Sequence, residues 1–192
     1  MASMRAMLLE PDASWLEERR RRGNDRWDEV WNGVLHLVPA PSSFHQEFEG
    51  DLEDVLKPFA RSLGLKTFHN LSVFARVDGE RNYRTPDITL VAPEYVTKRG
   101  VDARAELVIE ILSPNDETRE KLPFYAMCGI PEMWIVDPIT RQPEIYVLRG
   151  DSYFAVVADR EGNLRSARFD IELRVVPGPK LLVTTPLETR AI

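Results

Sequence analysis

The sequence has few of the residues that build disulfide-stapled, zinc-clustered or membrane-spanning proteins. It contains one cysteine, Cys128, so an internal disulfide and a cysteine-based zinc cluster are both excluded. No apolar run approaches the roughly 18 residues that a membrane-spanning helix needs. The segment from Met1 to Glu18 has no apolar core of the kind found in signal peptides. We therefore expect a cytoplasmic protein with no membrane partner.

Basic residues are also in the minority, with 25 Lys and Arg against 31 Asp and Glu and a formal net charge of −6. This balance excludes a polybasic protein held on nucleic acid by bulk charge. It does not exclude a nuclease, whose active site is itself acidic. The three histidines, His36, His45 and His69, lack the spacing of a metal-ligating motif. The phosphate-binding P-loop pattern and the Gly-x-Ser-x-Gly pattern of serine hydrolases are missing from the sequence.

The 192 residues predict a single domain with short appendages. We assign residues 25–176 to this domain and residues 1–24 to an N-terminal extension. A short helix is predicted in the extension from Ser14 to Arg22, with Ser14 as its cap. Residues 177–192 are predicted to be an irregular C-terminal tail.

Local patterns indicate a mixture of strands and helices. Asn32-Gly33 between two apolar runs predicts an N-terminal β-hairpin. An apolar stripe from Phe44 to Leu63 predicts a long helix, in which Pro58 is expected to cause a kink or a break. A second helix is predicted over residues 116–128. Further strands are predicted at residues 67–77, 87–92, 106–112, 133–137, 145–148, 153–157 and 169–176. This order predicts a mixed α/β or α+β fold.

The informative residues are acids placed where strands should be apolar. Glu110 interrupts the run Leu107–Leu112, and a buried carboxylate must be paired or metal-bound. Asp87 opens the preceding strand. Two carboxylates facing each other on adjacent strands suit a hard cation such as Mg²⁺, which activates water for attack on a phosphate. The alternative is structural, with Glu110 paired to an arginine such as Arg84 and Asp87 serving as a turn residue.

Four segments, in this order, resemble the Uma-two family of restriction endonucleases, a branch of the PD-(D/E)xK nuclease superfamily. The likeness extends from about residue 25 to about residue 175 and includes an opening segment with Trp31–Leu35, Pro39–Pro41 and His45. The four segments are Tyr83–Ile88, Glu110–Pro114, Lys121 with Tyr125, and Gly129–Pro138.

The resemblance implies a restriction-endonuclease-like core, in which helices flank a mixed central β-sheet. It further implies that Asp87 and Glu110 are catalytic and hold Mg²⁺ together with the backbone carbonyl of Ile111, with Mn²⁺ as a substitute. The implied substrate is DNA. A homodimer is also expected, because cutting both strands of a duplex needs two sites and a two-fold assembly supplies them.

The position of the catalytic lysine departs from the superfamily pattern. That lysine normally lies two residues after the acid, where this sequence has Leu112. The Uma-type pattern moves the lysine to the following helix, which makes Lys121 the third expected catalytic residue. The alternative is a solvated lysine that pairs with Glu117, one helical turn away.

Other residues have weaker assignments. His45, Arg84 and Tyr125 are expected to bind substrate, although His45 is equally explained as a polar residue at the start of a helix. A third carboxylate from the first core helix is also expected, and the sequence does not choose among its candidates, which are Glu49, Asp51 and Glu53.

Three hypotheses about function follow from the sequence. The first is a Mg²⁺-dependent endonuclease that cuts DNA. The second is a nuclease-fold binding module that does not cut, which is motivated by Leu112 and by the acidic net charge. The third is a glycoside hydrolase that uses two carboxylates and needs no divalent metal.

Overall fold

The computed structural model describes residues 6–9, 12–113 and 117–192, which form three β-sheets with helices packed against them. Pro114 and Asn115, where one strand was expected to end, lie outside these ranges, as does Met1. The α-helices are α1 (Ala13–Arg21), α2 (Ser43–Ser62) and α3 (Leu122–Met127). Short 3₁₀ helices lie at Gly79–Arg81, Pro93–Tyr95 and Thr118–Lys121. Among the described residues, no helix has the length and apolarity to cross a membrane.

The first sheet, which we call the hairpin sheet, has the strand order β1-β3-β2-β6-β5-β8. Its strands are β1 (Ala6–Leu8), β2 (Glu29–Trp31), β3 (Val34–Leu37), β5 (Val73–Phe74), β6 (Tyr83–Arg84) and β8 (Val101–Asp102). Strands β2 and β3 pair antiparallel across Asn32 and Gly33, whose φ angles of 50° and 90° are both positive. The predicted N-terminal hairpin is therefore confirmed, since a tight hairpin turn needs positive φ at both central residues.

The central sheet has the order β12-β11-β10-β9-β7-β4, and a third sheet has the order β13-β14-β15-β16. The central strands are β4 (Lys66–His69), β7 (Ile88–Val91), β9 (Leu107–Ile111), β10 (Glu132–Val136), β11 (Pro143–Arg149) and β12 (Ser152–Ala155). The third sheet contains β13 (Leu164–Ser166), β14 (Ile171–Val176), β15 (Lys180–Thr184) and β16 (Thr189–Ala191). Strands β9 and β10 are parallel and the other central pairs are antiparallel, so the predicted mixed sheet is confirmed.

The central sheet is covered on both faces. Helix α2 packs its apolar stripe, which includes Phe48 and Leu52, against one face, where Ile109 is fully buried. Helix α3 covers the other face, where Tyr125 packs in the same cluster as Val108. Alternate residues of β9 therefore face different helices. Each buried aliphatic or aromatic side chain contributes about 1.5–3 kcal/mol, and this burial holds the acidic residues of the sheet in place.

Helix α2 begins after Ser42, whose Oγ accepts the His45 N–H at 3.3 Å. It continues to Ser62 as one helix, so of the kink or break expected at Pro58 the break is not observed. Pro58 is on the exposed side of the helix, where water can bind the carbonyl that the missing N–H leaves unpaired. The next turn is anchored because Phe59 is buried in the core.

Two other expectations about local structure also need correction. Residues 67–77 do not form one strand, because Asn70 has a φ of 48° and the chain passes from the central sheet to the hairpin sheet. Residues 177–192 are not an irregular tail, because β15 and β16 lie there. Leu181 and Val183 alternate inward and are fully buried, so this segment completes the core.

The helix of the N-terminal extension is present, but it begins earlier than expected. Asp12, and not Ser14, is the cap of α1, because its side chain accepts the backbone N–H groups of Ser14 and Trp15. The helix starts at Ala13 and ends at Arg21.

Candidate active site

Asp87 and Glu110 lie opposite each other on adjacent strands of the central sheet. In the antiparallel register of β7 and β9, Ile88 pairs with Ile109, so Asp87, just before β7, faces Glu110. Asp87 Oδ2 accepts the backbone N–H of Ile111 at 2.6 Å, which fixes the carboxylate against the end of β9. Both acids line a cavity of about 60 Å³, which has room for a small ion and a few waters.

Glu110 is only 3% exposed and has two polar partners. Tyr125 donates its hydroxyl hydrogen to Oε1 at 2.6 Å, and Lys121 Nζ donates to Oε2 at 2.9 Å. Burial raises the pKa of Glu110 to about 8, and the nearby acids Asp87 and Glu29 also raise it, whereas Lys121 opposes the shift. Glu110 thus pairs with Lys121, and the alternative pairing with Arg84 is not observed.

Lys121 reaches the site from the 3₁₀ turn that precedes α3. Its side chain is 12% exposed, and its second acceptor is Glu29 Oε1 at 2.8 Å. Burial alone would lower the pKa of Lys121, but Glu110 and Glu29 outweigh burial and raise it, so the ammonium remains charged. Among the described residues, the ion pairs of Lys121 are with Glu110 and Glu29, whereas Glu117 Oε2 lies 3.2 Å from His36 Nδ1.

Glu29 is a residue of the site that sequence reasoning missed. It comes from the hairpin strand β2 and is held by the backbone N–H of Thr85 and by the indole N–H of Trp31, both at 2.8 Å. No local pattern identifies it, since its role depends on the packing of the hairpin sheet against the central sheet. The one available signal is a carboxylate at an inward position of a short strand.

His45 lies in the first turn of α2, is 4% exposed and contacts the same strand end. Its Nε2 is 3.2 Å from the carbonyl oxygen of Ile111 and 3.4 Å from Asp87 Oδ1. Its buried Nδ1 makes no hydrogen bond to the described residues. This atom lies 3.8 Å from Glu49 Oε2, which is beyond hydrogen-bond distance. Burial would lower the pKa of His45, but Asp87 and Glu49 outweigh it, and the net shift is upward.

Of the three candidates for the third carboxylate, the structure brings Glu49 into the site. His45, Glu49 and Asp87 offer donor atoms that lie within 4.8 Å of one another. Asp51 is exposed. Glu53 lies further along α2 and pairs with His69 and Lys57, with N···O distances of 2.5 and 2.9 Å.

The site fits a hard divalent cation. Four carboxylates, Glu29, Glu49, Asp87 and Glu110, lie in and beside the described cavity and supply oxygen ligands. Carboxylate and carbonyl oxygens are the donors that Mg²⁺ and Mn²⁺ prefer. The buried Nδ1 of His45, which has no hydrogen-bond partner in the described part of the chain, is a further ligand atom for a cation.

Two of the residues expected to bind substrate, Arg84 and Tyr125, are buried and do not line the cavity. The guanidinium of Arg84 is buried between the rings of Trp31 and Phe124, at 4.2 and 4.3 Å from their centroids, and it donates to the carbonyl of Val30. Arg84 is not among the residues that line the cavity. Tyr125 is fully buried and donates its hydroxyl hydrogen to Glu110.

Comparison with known proteins gives a family match and structural matches. The Uma2 family model, described as a putative restriction endonuclease, matches residues 22–175. The crystal structure of a putative nuclease of the DUF820 family from Anabaena variabilis ATCC 29413 is similar, with a TM-score of 0.59 and 16% sequence identity. The match covers 74% of this chain and 83% of that chain, and it confirms the predicted nuclease-like fold. A search of curated proteins gave no match.

Proposed function

Because the chain belongs to the Uma2 family of putative restriction endonucleases, we propose that it is a metal-dependent endonuclease that hydrolyses phosphodiester bonds in DNA. The observation that carries this proposal is the convergence of Asp87, Glu110 and Lys121 in one buried cavity. These residues come from two strands and a turn that are distant in sequence. The same three residues are the ones that the family resemblance implied to be catalytic.

Asp87, Glu110 and the carbonyl of Ile111 would hold Mg²⁺, with Glu49 and His45 as further donors. Mn²⁺ would substitute, because it also takes oxygen ligands. The bound cation supplies neutralisation of phosphate charge and a more acidic water.

Lys121 stabilises charge that develops on the phosphate. Its ammonium has three N–H donors, and Glu110 and Glu29 accept two of them. The third is available to a phosphate oxygen, because Lys121 lines the cavity. Since its pKa is raised, Lys121 acts as a fixed cation and does not take a proton from water.

Glu29, Tyr125 and His45 position the reacting groups. Glu29, from the hairpin sheet, holds Lys121 through an ion pair. Tyr125, from α3, holds Glu110 through a hydrogen bond. His45 lies against Asp87 and the Ile111 carbonyl, so it orders two of the proposed metal-binding oxygens and does not need to contact substrate.

A nuclease-fold binding module that does not cut is the second candidate, because Leu112 occupies the usual position of the lysine. The contact between Lys121 and Glu110 favours catalysis, since it supplies the ammonium that Leu112 lacks. We also propose a homodimer, because one cavity per chain cuts one strand at a time.

The test is cleavage of supercoiled plasmid DNA by the purified protein with Mg²⁺ or Mn²⁺. We expect nicked and linear products from wild type, and none from Asp87→Asn or in the presence of EDTA. Cleavage that persists in EDTA, or equal cleavage by Asp87→Asn, would contradict the proposal. Sugar hydrolysis in EDTA would instead indicate a glycoside hydrolase.

A further inference from the structure

A second cavity, of about 760 Å³, lies between α1 and the hairpin sheet. Asp28 and Val30 of the β2 segment line it, whereas Glu29 between them lines the catalytic cavity. Because successive residues of a strand point to opposite faces, the two cavities lie on opposite faces of the hairpin sheet. The second cavity is therefore separate from the catalytic site.

The floor of this cavity is a row of side chains that crosses four strands. Val30 pairs with Leu35 on one side and with Tyr83 on the other, and Tyr83 pairs with Phe74. The rings of Phe74 and Tyr83 are 5.2 Å apart and tilted by 45°. This floor offers an apolar and aromatic surface to a planar ring.

The walls and rim of the cavity are basic. Four arginines and two aspartates give its lining a formal charge of +2, in a chain whose net charge is −6. Arg19 is occupied by the buried Asp28, at 2.8 Å, and this ion pair holds α1 over the sheet. The other three, Arg20, Arg81 and Arg99, are exposed at the rim.

The basic rim and the aromatic floor are adjacent. The guanidinium of Arg99 lies 4.9 Å from the centroid of the Phe74 ring. Arg81 lies at the hairpin turn, where its guanidinium would be 3.0 Å from a Cβ placed on Gly33. A guanidinium group can donate two parallel N–H hydrogen bonds to a phosphate. A planar ring lying on the aromatic floor would therefore have phosphate-binding groups beside it.

We propose that this cavity binds a nucleotide, with the base on Phe74 and Tyr83 and the phosphates on Arg81 and Arg20. The volume lies within the roughly 300–1,000 Å³ of small-molecule sites. Helix α1 walls one side through Leu16 and Arg19, so the space suits one nucleotide and not a run of stacked bases. The proposal is independent of catalysis, because the ligand binds on the other face of the sheet.

The test is calorimetric titration of the full-length protein with ADP and with GDP in EDTA, which removes any contribution from a metal site. Adenosine and inorganic pyrophosphate are titrated separately as the two halves of the ligand. We expect a Kd below about 100 μM for at least one nucleotide, and binding at least about tenfold weaker for either half. Arg81→Ala and Arg20→Ala should each weaken binding about tenfold or more, because each removes a charge-assisted bond. Arg61→Ala, at an exposed arginine outside the cavity, should bind like wild type.

Several outcomes would overturn the proposal. One is no heat change with either nucleotide at about 1 mM, at which a specific site would be occupied. Another is binding that survives the Arg20→Ala/Arg81→Ala double variant or is lost in Asp87→Asn, because the ligand would then lie elsewhere. A single-stranded oligonucleotide that displaces ADP at equal affinity per site would identify the cavity as a strand-binding surface. Thermal melts of each variant distinguish lost binding from lost folding.

Discussion

The two faces of the hairpin sheet carry sites of different design, one built mainly from acidic side chains and the other from arginines. On one face, Glu29 and its neighbours form a small cavity of about 60 Å³, where buried acids hold each other through Lys121 and His45. On the other face, arginines surround an open cavity of about 760 Å³ with an aromatic floor. The net charge of the whole chain, −6, predicts the composition of neither cavity. Local packing, and not overall charge, therefore decides what each face binds.

The strongest way to sharpen this comparison is to remove one acid of the small cavity. We expect Asp87→Asn to lower DNA cleavage about 100- to 1,000-fold or more, because it removes a proposed metal-binding oxygen while Asn still accepts the Ile111 N–H. Nucleotide binding in the arginine cavity should be unchanged. Asp51→Asn, at an exposed acid of α2, is the control and should cut like wild type. Loss of both activities in Asp87→Asn would show that the two sites are not separate.

Replacing the buried lysine tests whether the small cavity catalyses or only binds. We expect Lys121→Met to lower cleavage about 100-fold, because charge on the phosphate loses its fixed cation. The free energy of unfolding should fall by about 3 kcal/mol, since Glu29 and Glu110 lose their shared partner.

Chemical denaturation and Mn²⁺ binding of the same variant complete this test. Mn²⁺ should still bind to Lys121→Met and should restore part of its stability, because the cation compensates the acids. Lys121→Arg, which keeps the charge, is the matched control. If Lys121→Met cuts DNA at the wild-type rate, Lys121 has only a structural role.

The pH dependence of metal binding follows from burial of the acids. The pKa of Glu110 is raised to about 8, so below that pH the cation must displace a proton. We expect Mn²⁺ affinity to rise up to about tenfold per unit as the pH increases toward 8, and then to level off. Calorimetry in buffers of different ionisation enthalpy measures the released proton. An affinity that does not change between about pH 6 and 8 would contradict this assignment of charge.

The smallest expected effect is at His69, which pairs with Glu49 of α2. Hydrogen bonds to Glu49 and Glu53 outweigh burial and raise the pKa of His69 to about 9. The folded-state pKa exceeds the unfolded value of 6.5, so this stabilisation is fully present below about pH 6.5 and disappears as the pH rises through about 9. We expect His69→Gln to lower the free energy of unfolding by about 1–2 kcal/mol at about pH 6, by progressively less between about pH 6.5 and 9, and by almost nothing above about pH 9. Urea unfolding of wild type and His69→Gln at about pH 6 and above about pH 9 measures the difference in their free energies of unfolding, which should be smaller at the higher pH.

The sequence could predict features whose cause is local. Asn32-Gly33 identifies the hairpin because both residues tolerate positive φ. Asp87 and Glu110 stand out because a charge inside an apolar strand needs a partner. The family resemblance supplied Lys121, and the structure places its ammonium 2.9 Å from Glu110.

The remainder depends on packing between distant segments. Glu29 enters the site because the backbone of Thr85 and the side chain of Lys121 meet it, at sequence separations that no periodicity encodes. Arg84 is adjacent to the site in sequence, yet stacking between Trp31 and Phe124 turns it away.

The most direct test of the central claim is calorimetric titration of Mn²⁺ into the protein without DNA. Wild type and Asp51→Asn are predicted to bind with a Kd below about 1 mM, whereas Asp87→Asn and Glu110→Gln are predicted to lose binding while their circular dichroism stays unchanged. Absence of specific binding to wild type at about 10 mM Mn²⁺, or equal binding by all four proteins, would contradict the assignment of a catalytic metal site to Asp87 and Glu110.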